Sequence, residues 1–134
     1  MAGTLDVDAP IEPDTTQPWN LAKGRPIYRA DVAGATHGHF GWQCDWAETL
    51  ISNFGLSETA AALLFKNFIG GSYRECRSPF LSIPEAKRIQ DFDLTAFFER
   101  HLLGDTRHDE FLTPAYATQH EPGVVFQRKD AGQP

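Results

Sequence analysis

The chain is poor in the features that announce a membrane or a reaction. No apolar run approaches the ~20 residues needed to cross a bilayer, and no basic-then-apolar leader opens it, so the expectation is a cytoplasmic protein without membrane contact. Cysteine occurs twice, as Cys44 and Cys76, too few for a Cys-rich zinc site. Without an export signal both are expected to be reduced, small and buried. Positive charge is scarce, with 12 Lys and Arg against 18 Asp and Glu and a net charge of −6. The basic clusters Lys23/Arg25/Arg29 and Arg74/Arg77 are diluted by carboxylates or apolar residues. Nucleic-acid binding needs a basic stripe that displaces counterions, and that class is set aside. There is no G-x-S-x-G elbow and no glycine loop following a strand. Cys44 sits among Trp42, Asp45 and Trp46, surroundings that disfavour a reactive thiolate.

What the chain does have is rings. Ten Phe, three Trp and three Tyr occur in 134 residues of which 41% are hydrophobic, enough for one domain whose core needs no metal or disulfide staple. Composition divides it into four stretches. Residues 1–18 hold four carboxylates, three prolines and no basic side chain, and read as a flexible acidic tail. Residues 19–40 read as an extended arm, residues 41–113 as a helical domain, and residues 114–134 as an extended C-terminal tail in which Val124-Val125-Phe126 is the one strand-like run.

Within the helical stretch, Trp42, Trp46, Leu50 and Phe54 recur every fourth residue and Ile51 widens the stripe, predicting an amphipathic helix over 41–53 that Gly55 stops. Ser57 is placed to cap a second helix over 58–69, apolar on nearly every side and therefore expected at the centre of the core. Ser82-Ile83-Pro84-Glu85 has capping-box spacing and opens a helix with Ile83, Ala86 and Ile89 inward. Asp93 is expected to cap a separate helix, with Phe92 and Phe97 as its hydrophobic staple. Leu94, Phe97, Phe98, His101 and Leu102 would form that helix's inward stripe, and Gly104 would end it. Asp105 is placed to cap one last short turn before Thr113-Pro114. The fold expected is thus all-α: a small bundle of four or five helices with long irregular N- and C-terminal arms and, at most, one short C-terminal edge strand.

The phrase Asn53-Phe54-Gly55-Leu56-Ser57-Glu58, followed by residues 60–67, looks like the F-G-L-T-x-E … A-L-L-x-x-D phrase of the small helical subunits of ring-opening extradiol dioxygenases. It covers residues 53–67 alone. Asn67 replaces the acidic residue and the spacing is one residue short, and the family is not adopted.

Three functional readings follow. In the preferred one, the chain is a non-catalytic helical subunit or adaptor that binds a larger protein subunit through its extended arms. Trp19, Tyr28, Phe40, Trp42 and Phe126 are then the contact residues, because rings bury much area at little entropic cost. In the second, it is a small metal-dependent enzyme or enzyme subunit. Imidazoles at His37 and His39, with Gly38 letting both turn to one ion, would then hold zinc or iron. Further ligands would come from Cys44, His101, His108, Asp109 or Glu110. The third is a carrier of a small aromatic ligand. Arg107-His108-Asp109-Glu110 reads as a solvated charged turn, since neighbours on a helix point apart.

Overall fold

The computed structural model describes residues 1–64, 75–77 and 79–131. Its β-structure comes from the two ends of the chain, expected to be irregular apart from one short C-terminal edge strand at Val124-Val125-Phe126, and that strand is present. Tyr28, Ala30 and Val32 alternate with Arg29 and Asp31, the two-residue beat of a strand with one apolar face. Strands β1 (Ala2–Gly3), β2 (Ile27–Val32) and β3 (Val124–Lys129) form a sheet of order β1-β2-β3, with β1 parallel and β3 antiparallel to the central β2. The fold is therefore mixed α/β, and the all-α bundle with irregular arms is overturned. The alternation in β2 is short, and the strand that completes it lies at the far end of the chain.

Residues 1–18 contribute β1 and the start of helix α1 (Thr16–Leu21). Gly3 lies so close to the turn after β2 that a Cβ would sit 2.3 Å from the Ala35 carbonyl oxygen, so no side chain fits. The buried Asp6 carboxylate accepts hydrogen bonds from the Asp8 and Ala9 amides. Helix α1 covers the charged face of the sheet. Arg29 forks onto Asp31 and donates to the Thr16 hydroxyl, and Lys129 donates to the Trp19 carbonyl with its ammonium 4.6 Å from the indole centre.

Helix α2 (Gln43–Phe54) ends as expected at Gly55, whose φ of 60° is the left-handed cap that glycine adopts without strain. Its inward residues are Cys44 and Ala47, however, with Trp46, Leu50 and Ile51 half-buried and both Trp42 (59%) and Phe54 (70%) exposed. Ser57 caps helix α3 (Glu58–Leu64) through the Ala60 amide. Ala61 is buried, but Leu63 is 78% exposed, so this part of the segment is not a surrounded central helix. The rest of the expected 58–69 helix, with Gly70-Gly71 and Arg74, lies outside the described residues. Cys44 and Cys76 form a disulfide, their Cα atoms 5.6 Å apart, which corrects the reduced pair read from the sequence. The pairing depends on a tertiary approach that spacing alone does not encode.

Helix α4 (Ile83–Leu102) is continuous. The Ser82 side chain makes no capping bond; Glu85 pairs instead with Arg88. The capping box forms elsewhere, between Thr36 and His39 at the short turn His37–Phe40. Asp93 does not start a new helix but lies in the third turn of α4. The residues of α4 that are buried are Ile83, Ala86, Ile89 and Ala96, while the stripe expected inward is exposed, with Phe98 and Leu102 facing out and Leu94, Phe97 and His101 on the edge towards Tyr28. Asp105 caps the turn Thr106–His108 as expected. Helix α5 (Pro114–His120), capped by the Thr113 hydroxyl, replaces an expected aperiodic stretch and packs on β3. The main core joins Ala30, Val32, Val124 and Phe126 of the sheet to Ile89 and Ala96 of α4, Leu112 and Ala117. Among the described residues no helix is long and apolar enough to cross a membrane.

Candidate functional site

The antiparallel register sets the floor of a cleft. Pairing Tyr28 with Arg128, Ala30 with Phe126 and Val32 with Val124 places these side chains in rows on the sheet face under α4. Between this face and α4 lies a cleft of about 370 Å³ whose walls include Ile27, Tyr28, Ala30, Leu94, Phe97, Leu112 and Phe126. Tyr28 anchors the aromatic wall. Its ring centre lies 5.8 Å from Phe97 in an edge arrangement, 5.5 Å from His101 and 6.1 Å from Phe126. Its hydroxyl is 3.0 Å from His101 Nε2, and the Arg128 guanidinium stands 5.5 Å from its ring centre. Burial raises the Tyr28 phenol above its ordinary value, with Arg128 partly opposing it.

One carboxylate lines this apolar cleft, Asp93. Its Oδ2 is buried and has no hydrogen-bond partner, a costly state for an ionised oxygen. Burial pushes its carboxyl up to about 6, the Glu121 carboxylate adds to the rise, and the N-terminal ammonium and the Arg88 guanidinium oppose it. Arg88 is committed to other partners. It forks between Glu85 and the buried Glu121, whose Oε1 lies 2.7 Å from Nη1.

The residues named from sequence are dispersed. Phe126 is core, Tyr28 and Phe40 pack against that core, Trp19 is half-buried beneath Lys129, and Trp42 alone is largely exposed, edge-on to Trp46. His37 and His39 do not converge on a common point. His39 is buried, with Nδ1 3.0 Å from the Thr36 amide nitrogen and 2.9 Å from its hydroxyl, and Nε2 2.8 Å from the Leu81 carbonyl. That network assigns a neutral ring donating from Nε2, with neither nitrogen open to a metal. His37 Nδ1 faces Asp6 Oδ2 at 3.1 Å. Among the described residues no group of three or more His, Cys, Asp or Glu is arranged to hold a metal ion.

Sequence reasoning missed Asp93 as a cleft residue and misassigned the outer face of α4. The signal was present. No glycine or proline interrupts residues 85–103, so Ile89, Asp93 and Ala96 continue the inward face set by Ile83 and Ala86 at helical spacing. No family model matches the chain, and neither a curated protein nor a solved structure matches it.

Proposed function

We propose that this chain is a non-catalytic subunit or adaptor that engages a larger protein partner, and that the contact is made by the outer face of α4 rather than by extended arms. One observation carries the reading. Leu94, Phe97, Phe98 and Leu102 follow i, i+3, i+4, i+8 spacing and are all exposed, Leu102 to 73%, with Leu103 equally exposed just beyond the helix end. This is the anchor pattern by which an amphipathic helix seats in an apolar groove, and contiguous apolar surface of this kind marks interaction sites.

The Cys44–Cys76 bridge bears on location. Disulfides persist in oxidising compartments and are rare in the cytoplasm, so the bridge argues for an oxidising compartment over the cytoplasmic site expected from sequence. Alkylation of thiols at the moment of cell lysis, followed by mass analysis, distinguishes the two.

The test of partner binding is native mass spectrometry of the tagged full chain taken from its own cells, beside a Phe98→Glu/Leu102→Glu variant. The expected result is a stoichiometric complex for the wild type and a free 15.0 kDa chain for the variant, with unchanged circular dichroism and unfolding midpoint. A wild-type chain recovered alone, or as a homodimer only, overturns the reading.

A further inference from the structure

We propose that the cleft between β2, β3 and α4 is a binding site for a small organic cation, an arylalkyl- or alkylammonium ion, with Asp93 as its counter-ion. The inference goes beyond the partner-binding reading and does not require it, although Leu94 and Phe97 belong to both surfaces. Size, wall chemistry and charge each narrow the ligand. About 370 Å³ lies in the range of small-molecule pockets. The walls are apolar and aromatic, with Tyr28, Phe97 and Phe126 around the space, so the ligand body is apolar too. Ring faces attract cations through their quadrupole. Among the described residues the one carboxylate in the lining is Asp93, and its buried Oδ2 lacks a hydrogen-bond partner. An ammonium donates a charge-assisted hydrogen bond to a carboxylate and neutralises it, whereas a neutral isostere leaves the charge uncompensated. An anion is repelled by Asp93 and by Glu121 behind it.

The protein's own cations do not close the account. The Arg88 guanidinium is spent on Glu85 and Glu121. Arg128 donates to Asp130 at 2.8 Å and lies against the Tyr28 ring. The N-terminal ammonium of Met1, which borders the cleft, opposes the rise of the Asp93 carboxyl but makes no hydrogen bond to its Oδ2. Groups facing Asp93 are therefore Glu121 from the segment before β3, Arg88 one helical turn away, and the Met1 ammonium. With its carboxyl near 6, Asp93 is ionised at neutral pH and protonated in mild acid, while the ligand ammonium stays charged throughout.

The experiment is titration of the full chain with phenethylammonium, 2-phenylethanol and phenylacetate, followed by calorimetry and by amide NMR shifts. Expected are saturable phenethylammonium binding with shifts centred on Ala30, Phe97 and Leu112, and affinity at least roughly 10-fold above that of 2-phenylethanol, the factor set by a charge-assisted bond. Phenylacetate should not bind. Ammonium affinity should fall as pH is lowered through about 6, and Asp93→Asn should reduce it to the alcohol's level. Equal affinities for amine and alcohol in the wild type, no binding of the amine, or an Asp93→Asn variant that retains it would each overturn the proposal. The wild-type comparison stands even if the variant fails to fold.

Discussion

The inner and outer faces of α4 invert the usual relation between side-chain size and burial. Ala86 and Ala96, 1% and 2% exposed, face the core, while Phe98 and Leu102 face water. The inner face packs into the main core, where Phe126 and Leu112 supply the volume that alanine lacks. Among the described residues Phe98 and Leu102 belong to no core cluster, which is what distinguishes an interaction surface from a core seam. The difference teaches that hydrophobic periodicity locates a helix, whereas the size of its neighbours selects its buried side.

The largest effect should come from hollowing the inner face. Ile89→Ala removes a side chain that is 4% exposed in the main cluster, and a loss of about 2–5 kcal/mol in urea unfolding is expected. Overfilling is the next test. Ala96→Leu should cost about 1–3 kcal/mol, because Ala96 is 2% exposed in the main cluster and added volume there forces its neighbours apart; an unchanged midpoint would show the core to be loosely packed there. Arg88→Ala strips the buried Glu121 of its guanidinium and should cost about 1–3 kcal/mol, while raising the Asp93 carboxyl further as an opposing cation disappears. On the outer face, Phe98→Gln should change stability by no more than about 0.5 kcal/mol. A larger loss would mean that this face is buried against the chain itself, and the contrast between faces would collapse.

Asp93 sharpens the same comparison through pH. Its folded carboxyl sits near 6 against an ordinary 3.8, so between those values the folded chain binds more protons than the unfolded one. Its contribution to stability is therefore greatest in acid, falls as pH rises through that window, and stays low above it. Asp93→Asn should flatten this part of the stability–pH profile. A profile identical to wild type would place the carboxyl in water.

Much of the helical content was legible because its signals are local. Gly55, Ser57 and Asp105 act within a turn of themselves, and each ends or caps a helix where expected. The errors came where a residue's role depends on a distant partner. Residues 27–32 carry a two-residue beat that is plain once Val124–Lys129 is alongside, yet charged Arg29 and Asp31 masked it as an arm. Asp93 resembles a cap in sequence, since Asp is favoured at helix starts, but nothing near it stops the preceding helix.

By itself the sequence determined the helix starts and stops, the acidic balance and the aromatic load, because capping, propensity and charge act over a few residues. Tertiary structure decided which face of α4 is buried, that the chain ends meet in a sheet, that Cys44 reaches Cys76, and that Asp93 lies in an apolar cleft. Those outcomes depend on distances between segments far apart in the chain, and burial energy is assigned only when the segments meet.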